Sequence, residues 1–279
     1  MVTAKKLPGE RGALGCALKM SDRLDEAKTA PFTLGPALSD APCAGLLLHG
    51  FTGSPWELRP AGEALAARGV HVTCPRLPGH GTTPEAMLFA GHTQWLEAAT
   101  AALKSLEGAR RVVLIGLSMG ALLSMVLAAR HRALVRGLVL MAPALRLKAR
   151  DARLLRRLRW LPGLDVRETW LSKTSTDIEL DEVRSQSPIL PRYPLSRVLD
   201  LFALADLAHD CEPRIACPSL VIGAVNDHVV DTRAVLALQA RLPFSRRLVL
   251  QRGFHIIPRD TDRAVALTAI AHFVEELCA

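Results

Sequence analysis

The sequence predicts a mostly parallel α/β fold: a central sheet with helices on both faces and a small insertion over one edge. Three observations lead there. From about residue 31 onward, short apolar runs alternate with stretches of helical periodicity, the pattern of strand–helix–strand units. Between about 145 and 199 that rhythm breaks into an Arg-rich and then Pro-rich stretch holding Pro162, Pro188, Pro191 and Pro194. Ser118, Asp227 and His255 each follow an apolar strand-like run, so a parallel sheet would gather them at one edge.

A chain of 279 residues can bury about three-quarters of its unfolded surface in one core. The expected organisation is a loose N-terminal arm (1–30) and one domain (31–279) with a cap inserted at about 145–199. The 49% hydrophobic and 22% charged shares suit a soluble globular protein. The net charge of +8 is carried mainly by Arg, yet aromatics are only 4% and neither a stacking motif nor zinc-finger spacing is present, which argues against a nucleic-acid partner. Apolar runs are too short to span a bilayer, and the basic start lacks an apolar signal core, so a cytoplasmic location is expected. The six cysteines form no C-x-x-C pair and no metal-ligand spacing. They read as scattered reduced thiols, with a local Cys211–Cys217 bridge left open, and neither metal nor cofactor is expected.

The elements follow in order. A short strand is expected near 31–34. The run AGLLLH at 44–49 is apolar throughout, as in a strand buried on both faces. Apolar residues then recur at helical spacing over 55–68, and Gly69 ends the helix. A strand at 70–74 leads into a Pro- and Gly-rich loop at 75–87. A helix at 94–106, a strand at 112–116, a helix at 119–130 and a strand at 137–141 follow. Beyond the insertion come a strand at 219–224, a helix at 232–241, a strand at 247–251 and a last helix at 262–277.

Gly116-Leu117-Ser118-Met119-Gly120 matches G-x-S-x-G between a strand and a helix. Such a turn reverses the chain within a few atoms, which strains the serine backbone and requires residues without side chains where helix meets strand. It lifts the Ser118 hydroxyl off the sheet and sets the Met119 N–H at a helix start, where negative charge is favoured. The competing reading is a serine that merely caps the helix. A serine hydroxyl needs a base. His255 (RGFHII) and the acid Asp227 (GAVNDHVV) follow in the order Ser, acid, His. Among the rivals, Asp231 reads as a helix N-cap, His228 adjoins the acid, and His272 sits inside the last helix. His49-Gly50-Phe51-Thr52-Gly53 follows the first strong strand. Its Phe51 N–H, with that of Met119, is placed to hold an oxyanion and so to bind substrate, one such donor being worth roughly 3 kcal/mol. His49 reads as a structural tie of this loop, and the Phe51 ring as a wall of the acyl pocket.

Residues 46–87, 112–126 and 217–231 resemble the bacterial carboxylesterase and monoacylglycerol lipase branch of the α/β hydrolases. The likeness runs from about residue 31 to the end, the cap excepted. The resemblance implies the α/β-hydrolase fold and hydrolysis of short- to medium-chain carboxylic esters or monoacylglycerols without a cofactor. It implies Ser118 as nucleophile, Asp227 as acid, His255 as base, and Phe51 and Met119 as oxyanion donors. Asp260 also fits the family pattern and reads as a helix cap. Ala121 departs from it, standing where a second glycine is usual. Acyl transfer or perhydrolysis by the same three residues, and a non-catalytic ligand-binding role, are the alternatives. The stretch 146–159 (RLKARDARLLRRLR) reads as an amphipathic cap helix with a solvated basic face; peripheral contact with anionic membrane surfaces is the rival reading, and the oligomeric state is open.

Overall fold

The computed structural model describes residues 24–148 and 169–279. The strands are β1 (Phe32–Leu34), β2 (Ala44–Leu48), β3 (His71–Cys74), β4 (Val112–Leu117), β5 (Val135–Met141), β6 (Trp170–Ser172), β7 (Arg192–Pro194), β8 (Ser219–Ala224) and β9 (Ser245–Leu250). The α-helices are α1 (Glu26–Thr29), α2 (Arg59–Ala66), α3 (His92–Lys104), α4 (Met119–Arg130), α5 (Asp181–Ser185), α6 (Leu195–Cys211), α7 (Thr232–Arg241) and α8 (Arg263–Cys278). Seven strands form one sheet in the order β1-β3-β2-β4-β5-β8-β9, and β6 pairs with β7 apart from it. Strand β1 runs antiparallel to β3, and all other neighbours in the large sheet are parallel.

Successive side chains of the central strands enter opposite cores. Leu46 and Leu48 of β2 pack on one face while Leu47 packs on the other; Leu114 of β4 opposes Val113 and Ile115 in the same way. Helices α3, α4, α6 and α7 cover the first face, and α2 and α8 the second. A strand buried on both sides has no polar face, which is why β2, β4 and β8 are buried along their whole length and read as continuous apolar runs. Helix α4 lies in the middle of its layer with Met119 to Ala129 all buried.

The expected boundaries agree within a few residues. The helix expected over 55–68 divides into a 3-10 turn (Pro55–Leu58) and α2, because Pro60 can sit only in the first turn of an α-helix. Helix α3 starts two residues early, where the Gln94 side chain accepts the Gly91 N–H at 2.9 Å. Helix α6 and the β6–β7 hairpin were not expected. Val198, Leu201, Phe202, Ala205 and Ala208 are buried on α6 at helical spacing, and Pro194 at its N-cap belongs to the helix start and not to a loop. The N-terminal arm through residue 23 and the basic stretch from 149 to 159 lie outside the described residues.

The cysteine expectation needs correcting: Cys43 and Cys278 form a disulfide, with Cα atoms 5.6 Å apart across a separation of 235 residues. Cys43 precedes β2 and Cys278 ends α8, so only the packing of the last helix on the sheet brings them together. Cys211 and Cys217 are free thiols, not a local bridge. Among the described residues no helix is long and apolar enough to cross a membrane.

Candidate active site

The turn from β4 into α4 holds Ser118 at φ 56° and ψ −111°, in backbone space that a non-glycine residue enters only when its surroundings enforce it. They do so here. The Ser118 N–H donates to the Met141 carbonyl at 2.8 Å, and the Ser118 carbonyl accepts from Ala121 N–H at 3.1 Å and Ala144 N–H at 3.3 Å. Side chains on the flanking glycines would collide with backbone: a Cβ on Gly116 would lie 2.3 Å from the Gly120 oxygen, and one on Gly120 would lie 1.8 Å from the Leu48 oxygen. Ser118 occupies the N-cap position, but its side chain makes no capping hydrogen bond, which removes the reading of a mere helix cap.

His255 and Asp227 meet beside it. His255 Nδ1 donates to Asp227 Oδ2 at 2.8 Å, with both residues buried. The other oxygen, Oδ1, accepts the N–H groups of Val229 at 2.8 Å and Val230 at 2.7 Å. Burial works against the Asp227 carboxylate, but the His255 imidazole and these two N–H groups outweigh it and hold the carboxyl below its ordinary value. Burial likewise lowers the His255 pKa, yet Asp227, and more weakly Asp177 and Glu57, raise it above the ordinary imidazole value. An isolated β-bridge brings in the start of the insertion: Leu147 pairs with Val230, and the Lys148 ammonium donates to the Asp227 carbonyl.

The loop after β2 closes the site. Gly53 N–H donates to the Gly50 carbonyl at 3.2 Å, and Thr52 takes φ 60°. A Cβ on Gly50 would stand 3.5 Å from the Ser118 Cβ, so this loop packs directly against the serine. Met119 opens α4, and its N–H is one of those that a helix cannot pair within itself. His49 ties the loop as the sequence suggests. Its Nδ1 donates to the Gly50 carbonyl at 3.0 Å, its Nε2 accepts the Leu77 N–H at 3.0 Å, and burial lowers its pKa to about 3, so the ring is neutral. Phe51 packs edge-on against Trp95, His80 and Tyr193 and lines the pocket.

The rivals settle elsewhere. Asp231 caps α7 by accepting the Arg233 N–H at 3.1 Å. His228 faces Asp177, with Nδ1 donating to Oδ1 at 2.8 Å, and His272 is exposed on α8. Asp260 is not the N-cap of α8. It is buried, and its oxygens accept the N–H groups of Glu179, Leu180, Phe254 and Thr261 at 2.7 to 3.2 Å.

Ser118 and His255 line one cavity of about 330 Å³, within the usual range for small-molecule sites. Part of its wall is apolar, with Phe51, Leu147, Leu171, Val198 and Leu201; part is polar, with Glu57, Lys173, Ser175, Thr176 and Asp177. This polar part has no counterpart in the sequence reading. Glu57 is buried and accepts the Gly50 N–H at 3.0 Å, and burial raises its pKa. Lys173 reaches in to donate to Thr52 Oγ1 at 2.6 Å, and burial lowers its pKa, each charge partly offsetting the penalty on the other. The only sequence signal was indirect: Gly53 lies four residues before a glutamate, and a Cβ there would come within 2.4 Å of all three carboxyl atoms of Glu57.

The chain and its fold are similar to known proteins. A thermostable monoacylglycerol lipase of Bacillus sp. (strain H-257) is 28% identical over 237 residues, covering 84% of this chain and 91% of that one. A carboxylesterase of Bacillus subtilis (strain 168) is 26% identical, covering 84% of this chain and 93% of its own. The solved structure of a metagenome-derived lipolytic enzyme superposes with a TM-score of 0.80 at 27% identity, covering 89% of this chain and 98% of that one. The family model described as serine aminopeptidase, S33, matches residues 43–262. With the family model matched over residues 43–262 and the fold matched along most of its length, the chain is a serine hydrolase of the α/β-hydrolase fold that belongs to the S33 serine aminopeptidase family.

Proposed function

We propose that the protein hydrolyses short- to medium-chain carboxylic esters, monoacylglycerols among them, through an acyl-enzyme on Ser118. The observation that carries this reading is the 2.8 Å bond between His255 Nδ1 and Asp227 Oδ2 beside a strained serine that shares a cavity with the imidazole. With Nδ1 carrying the proton, Nε2 keeps a lone pair for the hydroxyl of Ser118. The serine attacks the ester carbonyl as His255 takes its proton. Asp227 holds the tautomer and stabilises the imidazolium, and the N–H groups of Phe51 and Met119 hold the oxyanion. His255 then protonates the departing alcohol, and water, activated by the same imidazole, frees the acid and restores the serine.

The cavity lining supports the substrate class. Its apolar part suits an acyl chain, and a cavity of about 330 Å³ limits its length. The hydroxyl and charged groups of Ser175, Thr176 and Lys173 suit an alcohol that carries further hydroxyls, as glycerol does. On this reading the described parts of the 145–199 insertion, 145–148 and 169–199, belong to a cap over the pocket.

The test is hydrolysis of a p-nitrophenyl ester chain-length series and of monoacylglycerols by the wild type and by Ser118→Ala. The wild type should show an optimum at short to medium chains, and Ser118→Ala should lose about 10⁴-fold or more in kcat. Wild-type turnover by Ser118→Ala would overturn the reading.

A further inference from the structure

Asp177 lies between β6 and α5, on neither of the loops that carry Asp227 and His255, yet it holds both. Its Oδ2 accepts the N–H of His228, the residue after Asp227, at 3.0 Å, and the N–H of His255 at 3.1 Å. Its Oδ1 faces His228 Nδ1 at 2.8 Å, and its carbonyl accepts the Ile256 N–H at 3.2 Å. The next residues extend the grip. Ile178 is fully buried in the core under α8, Glu179 Oε2 accepts the Gly253 N–H at 2.9 Å, and Asp260 in return accepts the N–H groups of Glu179 and Leu180.

We propose that Asp177 is a positioning residue: a carboxylate supplied by the inserted segment that fixes the spacing of the acid and base loops and adds a second negative charge near the imidazole of His255 beside that of Asp227. The proposal rests on the reading of His255 as the base. One oxygen with two backbone donors, one on each loop, acts as a rivet, because neither loop can shift without lengthening a charge-assisted bond. Misplacing a reacting group by about 1 Å can cost on the order of 10²-fold in rate. The electrostatic part follows from the charges around the ring. Asp227, Asp177 and Glu57 all raise the proton affinity of His255; Lys173 faces Glu57 and Asp177, and His228 faces Asp177. Asp177 contacts the backbone of His255 and leaves its Nε2 free, so it adds charge without competing for the serine proton.

Two substitutions separate the two roles. In Asp177→Asn the amide oxygen can replace Oδ2 and accept both N–H groups, while the amide nitrogen faces His228 in its Nε2–H tautomer. The geometry stays and the charge goes. In Asp177→Ala both go. The His255 ring is titrated by ¹⁵N-histidine NMR in the full chain, its signal assigned with His255→Gln, and kcat is measured on p-nitrophenyl butyrate with circular dichroism as the folding check. Asp177→Asn should lower the His255 midpoint while its kcat on the alkaline plateau stays within a few-fold of wild type. Asp177→Ala should lower the midpoint and also lose about 10- to 100-fold in kcat. An unmoved His255 midpoint in Asp177→Asn overturns the proposal, and so does a folded Asp177→Ala with wild-type kcat. If Asp177→Ala does not fold, the midpoint in Asp177→Asn decides. A wild type without ester turnover whose midpoint still falls in Asp177→Asn counts against the ester reading and for the proposal.

Discussion

On the proposed mechanism, Asp227→Asn should abolish most of the activity while leaving the fold in place, and the hydrogen bonds of Asp227 give the reason. Oδ1 of Asp227 accepts two backbone N–H groups, at 2.8 and 2.7 Å, and Oδ2 accepts His255 Nδ1–H at 2.8 Å. An amide offers a single acceptor atom. Its oxygen must go to the paired N–H groups of Val229 and Val230, because the reverse orientation would point amide hydrogens at two fixed donors in a site only 2% exposed. The amide nitrogen then faces Nδ1 of His255 and can bond to it only if the ring carries its proton on Nε2. That tautomer presents an N–H to Ser118 and cannot take the serine proton. The expected loss is about 10⁴-fold in kcat, or about 5.5 kcal/mol at 1.36 kcal/mol per decade. KM should change little, because Asp227 is not among the residues that wall the cavity. The assay is p-nitrophenyl butyrate turnover beside the rate of fluorophosphonate labelling of Ser118. A folded variant within about 10-fold of wild type would refute the tautomer argument.

Gly53→Ala places a methyl 2.2 Å from Glu57 Oε1 and so displaces the acceptor of the Gly50 N–H; the loop carrying Phe51, the proposed oxyanion donor, should shift and kcat should fall by up to about 10²- to 10³-fold, and an unchanged kcat would mean that this loop does not lean on Glu57. The pH profile has a defined sign: the imidazolium cannot accept the serine proton, and the His255 pKa is raised above 6.5, so kcat/KM should fall with acid through a midpoint above 6.5, and a midpoint below it would contradict the Asp227 contact. Replacing Cys43 and Cys278 by Ser opens a bond that spans 235 residues. Chain entropy puts that bond at up to about 5 kcal/mol, so Tm should drop by up to about 10–20 °C. The bond joins the edge of the sheet remote from Ser118, so kcat should hold, and an equal loss of kcat would show coupling across the sheet.

The sheet and the candidate site residues were legible because their signals are local. A strand buried on both faces must be apolar throughout, as β2, β4 and β8 are. The turn at Ser118 needs residues without side chains at 116 and 120, and chain order fixes which sheet edge Asp227 and His255 reach. Helix α6 was legible in principle, since its apolar residues keep helical spacing, but the prolines before it masked the start. The Cys43–Cys278 pair was not legible, because nothing at either cysteine indicates what lies 235 residues away.

The polar part of the cavity lining shows a different limit. Glu57 sits on a 3-10 turn whose sequence, Pro-Trp-Glu-Leu, looks like the solvated start of a helix, and a glutamate there would normally face water. It is buried because the loop above it has an N–H to satisfy at Gly50 and no side chain at Gly53 to keep the carboxylate out. Lys173 and Asp177 enter from a segment with neither strand nor helix of its own, and both are held by partners more than 50 residues away: Thr52 for the lysine, His228 and His255 for the aspartate. Periodicity finds residues that face a core, and motifs find residues placed by a local turn. Neither finds a charge whose position depends on two distant loops meeting, and in this protein such charges brace the loop that would hold the oxyanion and the loop that would carry the base.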